Sequence, residues 1–152
     1  MSQVIVMWVH LIAAMFWIGG MLFFAIVLVP CLRSGLPENQ RTELISRVGL
    51  RFRGCAWILI GMLLVTGLFR LYQNGIPLSQ YGRPLSIKLS LVFILMTLSV
   101  LHDFVLGPKS IALSRTLSRP HPLQKTVRWI ARINLLVGLM IVLAAVSLVH
   151  RL

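Results

Sequence analysis

The sequence predicts an all-α membrane protein, an antiparallel bundle of four transmembrane helices, and three observations predict it. The chain of 152 residues is 58% hydrophobic and only 12% charged, with a mean hydropathy of +0.90, which is more apolar than a water-soluble domain needs to be. It contains four apolar runs long enough to cross a hydrocarbon core about 30 Å thick, a crossing that takes roughly 20 residues at about 1.5 Å rise each. Its lysines and arginines gather in the connections between those runs, so the formal charge of +12 suits anionic lipid headgroups and not nucleic acid.

Helix one is expected at about 4–29, from Val4 to Val29, with Pro30 removing a backbone donor and ending it. No basic residue precedes this run and Pro30-Cys31 is a poor small-residue cleavage site, so it reads as a retained helix and not a secretory leader. The segment Cys31 to Gly49 carries Arg33, Glu38, Arg41, Glu43 and Arg47 and reads as a polar loop with room for one amphipathic turn. Helix two is expected at about 53–72, closed by the Asn74-Gly75-Ile76-Pro77 turn signal. Helix three, about 85–106, opens with Lys88 and closes with His102 and Asp103 before the breaker Gly107-Pro108. The basic stretch Lys109 to Arg128 leads through Trp129 into helix four, about 130–149. The whole of 1–152 is one transmembrane domain, and no internal repeat is visible.

The loops also set an orientation. Arg33, Arg41, Arg47, Arg51 and Arg53 flank the first connection, and Lys109, Arg115, Arg119, Lys125, Arg128 and Arg132 the third. Both therefore face the cytoplasm, and both termini the periplasm of a bacterial inner membrane. Cys31 and Cys55 fall on the reducing side, with no spacing for a disulfide framework or a Cys-x-x-Cys metal site.

Ionisable groups in a membrane are costly, so each needs a partner or a job. His10 lies about two turns inside helix one, and Arg70, Lys88 and His150 fall in the same outer half. A neutral imidazole ligates haem iron, copper or zinc, and Arg70 and Lys88 suit haem propionates, another anion or lipid headgroups. At the inner end, His102 and Asp103 form either an ion-pair anchor with Arg51 and Arg53 or an exit site for a proton or metal. Met62, Met96 and Met140 lie near the middles of helices two, three and four, and Met7 and Met21 share a face with His10, Ala14 and Trp17. Thioethers suit Cu(I) and also fill gaps in apolar packing. Gly19, Gly20 and Gly61, with Thr66, Ser90, Thr97 and Ser99, read as packing positions. No nucleophile with a base, phosphate loop or dinucleotide fingerprint appears, so any enzyme here would be a redox one.

The run His10-Leu-Ile-Ala-Ala-Met-Phe-Trp17-Ile-Gly19-Gly20, the pattern Arg51-Phe52-Arg53 with Thr66-Gly67, Lys88-Leu89, and His102-Asp103-Phe104 ending at Gly107-Pro108 resemble the copper-resistance D membrane family over nearly the whole chain. The His of helix one and the Lys of helix three also resemble the HemJ-type protoporphyrinogen oxidases, four-helix haem-associated membrane proteins. The first resemblance implies copper, with His10 and the methionines binding Cu(I) and His102-Asp103 releasing it. The second implies haem b, with His10 as axial ligand and Arg70 and Lys88 holding propionates. With no outer carboxylate, Arg70 and Lys88 repel a copper ion and attract an anionic porphyrin. A second imidazole ligand would have to be His150, at the extreme helix end. Copper binding or transport ranks first because the end of helix three matches that family better, haem-dependent oxidation second, and a non-catalytic partner subunit third. A chain this short calls for a second copy of itself or another membrane subunit as partner.

Overall fold

The computed structural model describes residues 1–75, 82–116 and 122–149, so His150 lies outside the described residues. Four stretches are long and apolar enough to cross a membrane, Gln3–Gly35, Gln40–Gln73, Leu85–Leu113 and Pro122–Ser147. The all-α class and the count of spans are as the sequence predicts. The chain divides into two compact units, Met1–Ile76 and Pro77–Leu152.

In the first unit, α1 (Ser2–Leu22) passes through a π-helical segment (Phe23–Leu28) into α2 (Val29–Gly35), and α3 (Glu38–Asn74) follows. Pro30 therefore does not end helix one. The Val29 amide donates to the Phe24 carbonyl, five residues back instead of four, and this wider turn carries the helix over a proline whose ring would crowd an ordinary α-turn. The break comes at Leu36 (φ −132°, ψ 146°) and Pro37 (φ −56°, ψ 153°), because the residue before a proline is pushed out of the helical region.

The expected polar loop is also helical, for α3 begins at Glu38 and not near Arg53. Glu38–Arg41 at 3.7 Å and Glu43–Arg47 at 2.6 Å support its first turns, as pairs three and four apart do on an exposed helix. Its 37 residues span about 55 Å, well beyond a hydrocarbon core. Hydropathy finds only the part that crosses lipid. At the far end Gly75, in the left-handed region with φ 61°, closes α3 through a bond from its amide to the Tyr72 carbonyl.

The second unit repeats the plan. A helix α4 (Gly82–Val100), a π-helical segment (Leu101–Leu106) and α5 (Gly107–Thr116) run continuously past Pro108, and α6 (Pro122–Val149) follows. The Gly107 amide donates to the His102 carbonyl. A Cβ on Gly107 would come within 2.9 Å of that oxygen, a close approach, although the corresponding turn of the first unit closes at Val29, which carries a side chain. Gly107-Pro108 is thus a π-turn inside helix three, and helix four starts at Pro122, a residue well suited to a first helical turn.

The displacement that carries Pro30 onto Pro108 also carries the first π-segment onto the second. It takes the buried residues Trp17, Ala56 and Ile60 onto the buried Leu95, Asn134 and Gly138, and His10 onto Lys88. The structure thus contains a repeat that the sequence does not display, because lipid-facing apolar residues interchange freely. Within the first unit α1 packs along α3, with Ala13 and Trp17 buried on one helix and Ala56, Ile60 and Thr66 on the other. The Phe24 and Phe52 rings meet at 5.1 Å. Within the second, α4 packs along α6 with Leu85, Leu95, Ser99 and Asn134 buried. Phe16, Ile58, Val65 and Phe93 are among many large apolar side chains left exposed, as a lipid environment requires and water forbids.

Candidate functional site

The first unit contains a polar centre built on two helices. His10 is half-buried on α1, about 10 Å along the helix from the Gln3 start of its span. Its Nδ1 lies 2.7 Å from the hydroxyl of Thr66 on α3, a residue only 9% exposed. That hydroxyl also donates back to the carbonyl of Met62 at 2.6 Å and approaches that of Leu63 at 3.3 Å. Gly67 lies under the ring, its absent Cβ position 3.7 Å from His10 Cε1. The arrangement follows from the sequence: Thr66-Gly67 offers one hydroxyl and one bare backbone face on the side of α3 that meets α1.

Arg70 follows Thr66 by one helical turn on α3 and is exposed, so a guanidinium can reach from the level of His10 toward the headgroups. Met7, one turn before His10 on α1, is 49% exposed. Met62 joins the centre through its carbonyl, with its side chain 39% exposed. Met21 lies about 16 Å further along α1 by helical rise, which is too far to share an ion with His10.

The second unit carries the remaining candidates. Lys88 is half-buried on α4. Met96 is half-buried and lines a shallow apolar groove with Phe93, Thr97, Val100, Leu101 and Val105. Met140, on α6, is 52% exposed. His102 Nδ1 pairs with the Asp103 carboxylate at 2.8 Å on the π-segment, with both side chains partly shielded. Among the described residues no three His, Cys, Asp or Glu side chains gather as a metal would require of such ligands. A soft ion held by one imidazole and thioethers remains compatible with these residues. Cys31 and Cys55 are exposed free thiols.

Two features do not stand out in the sequence. Thr66 reads there as a packing position, yet it is the hydrogen-bond partner of His10. Asn134 is the other. Buried on α6, it donates to the Ser99 hydroxyl at 2.8 Å while its own carbonyl oxygen meets no partner among the described residues. The signal was present, since an amide between Ile133 and Leu135 in a membrane span is as unusual as the imidazole of His10. Of the glycines expected at close approaches, Gly20 is one, against Phe52, whereas Gly19 and Gly61 have open space around them.

Two helical units, four apolar spans and ionisable groups held within them define a multi-pass membrane protein. The chain belongs to the copper resistance protein D family, whose profile matches residues 46–148. That range takes in Thr66, Arg70, Lys88, His102 and Asp103 and excludes His10. An uncharacterized protein of Aquifex aeolicus (strain VF5) is 32% identical over 145 residues, covering 93% of this chain and 92% of its own length. No solved structure matches.

Proposed function

We propose that the protein handles copper within the bacterial inner membrane, with both termini periplasmic, and that it takes Cu(I) at His10 with Met7 as a thioether donor. The observation that supports this reading is the bond from His10 to Thr66 across 2.7 Å. Metal-binding imidazoles are commonly held by such a partner on the other ring nitrogen. Membership of a family named for copper resistance points the same way, and a neutral imidazole with thioethers is a donor set that suits Cu(I) better than a harder divalent ion. Met62, Met96, Met140 and Met21 are further soft positions along the spans, and His102 with Asp103, near the end of its own span, is the candidate release point.

Arg70 supports a second reading. A guanidinium one turn from Thr66 attracts an anion, and imidazole plus guanidinium fits the iron and a propionate of haem b. In that case His10 would supply an axial nitrogen and Arg70 a counter-charge, and the haem would supply one-electron chemistry.

One experiment separates the two. The detergent-purified protein and its His10→Ala variant are scanned by ultraviolet-visible spectroscopy, as isolated and after dithionite, and then titrated with Cu(I) against a chromogenic chelator. The copper reading expects a featureless spectrum and Cu(I) retained by the parent but not the variant. A Soret band that shifts on reduction and vanishes in the variant would replace it with the haem reading, and Cu(I) retention equal in both proteins would remove His10 as the site.

A further inference from the structure

We infer that Thr66 is a positioning residue that fixes the tautomer of His10, holding the proton on Nδ1 and the lone pair on Nε2. The tautomer stands on geometry alone, while its consequence for metal rests on the copper reading. A threonine hydroxyl has one proton to give. In a helix it is given to the carbonyl one turn back, and here that acceptor is Met62 at 2.6 Å. The oxygen is then left with lone pairs facing His10 Nδ1 at 2.7 Å, so the ring nitrogen must be the donor.

Burial makes the assignment firm. Thr66 is 9% exposed, so little water competes for its oxygen, and a bond lost there is not readily replaced. Donation from Nδ1 makes Nε2 the basic nitrogen of the neutral ring, the form that binds soft and borderline metals. The bare backbone at Gly67, 3.7 Å from Cε1 by its Cβ position, seats the ring so that rotation would cost both the contact and the hydrogen bond. Thr66 therefore acts through His10 and need not touch a metal itself.

The test uses the full chain, metal-free in detergent, with its histidines labelled with nitrogen-15 and the His10 resonances assigned by loss in His10→Ala. The expected result is a protonated Nδ1 and an unprotonated Nε2 in the parent. Thr66→Val, which keeps the shape and removes the oxygen, should shift the ring toward the Nε2–H form, and Thr66→Ser should restore the parent pattern. In Cu(I) competition titrations Thr66→Val should weaken binding by about tenfold or more, the usual effect of removing such a support, with Thr66→Ser close to the parent. An Nε2–H ring in the parent, or a spectrum unchanged by Thr66→Val, would overturn the inference. The parent spectrum alone decides if the valine variant does not fold. An Nδ1–H ring in a parent that binds no Cu(I) would uphold the positioning role and count against the copper reading.

Discussion

The ring of Phe52 on α3 occupies the space that a side chain at Gly20 on α1 would need. The clash involves a ring already packed against Phe24 at 5.1 Å, so it has little room to retreat. Gly20→Ala is therefore expected to lower the stability of the first unit by about 1–3 kcal/mol, the usual cost of overpacking. Gly19→Ala, with nothing within 4 Å, should be neutral or slightly stabilising because alanine favours a helix over glycine. Thermal unfolding in one detergent, followed by circular dichroism, compares them. Equal midpoints would contradict the packing of α1 against α3.

The second unit makes a different kind of contact. Asn134 and Ser99 hydrogen-bond at 2.8 Å where the corresponding positions of the first unit, Ala56 and Met21, cannot. Helix pairing in this architecture does not require the bond. A double-mutant cycle with Asn134→Ala and Ser99→Ala should give a coupling of about 0.6 kcal/mol, the average for hydrogen bonds between membrane helices. Asn134→Leu alone should cost about 1–3 kcal/mol, because it leaves the buried Ser99 hydroxyl without its donor, whereas Asn134→Leu combined with Ser99→Ala, which also removes the unpartnered amide oxygen, should be nearly neutral. A coupling near zero would mean that the bond does not persist in the membrane.

The number of spans and their middles were legible in the sequence, because lipid selects composition over a fixed length. Their ends were not. Glu38 to Arg53 is too polar to cross a bilayer but helical all the same, and hydropathy reports solvent preference, not backbone state. Pro30 and Pro108 carried the wrong signal for a specific reason: each follows a π-turn that absorbs it, whereas Pro37, a less conspicuous proline, makes the break. His10 was legible as an outlier of polarity. Its partner was not, because a threonine in an apolar helix is common, and only the facing of α1 and α3 distinguishes Thr66 from Thr97, which bonds back to Phe93 of its own helix at 3.0 Å.

Cys31 gives access to the topology. It is exposed on α2, beside Arg33 and close to the turn at Leu36-Pro37, so it reports which side of the membrane that turn faces. The proposed orientation, which rests on the density of arginine there, puts that turn in the cytoplasm. With Cys55 replaced by serine, a membrane-impermeant maleimide should label Cys31 in inverted vesicles and spare it in intact spheroplasts. The opposite pattern would invert the proposed orientation and turn the His10 end of the first unit toward the cytoplasm.

Met7 and Met15 offer a controlled test of thioether ligation within one helix. Met7 precedes His10 by three residues and shares its face, while Met15 follows by five and points well away from it. Both are exposed, at 49% and 66%, so neither substitution by leucine should disturb packing. If His10 and a thioether hold Cu(I) together, Met7→Leu should weaken retention in competition titrations by about tenfold, on the order of 1.4 kcal/mol, and Met15→Leu should leave it unchanged. Equal losses would indicate non-specific binding to exposed methionines. No loss in either would leave His10 without Met7 as a donor, and Met62, whose backbone already touches the centre through Thr66, would be the next thioether to replace.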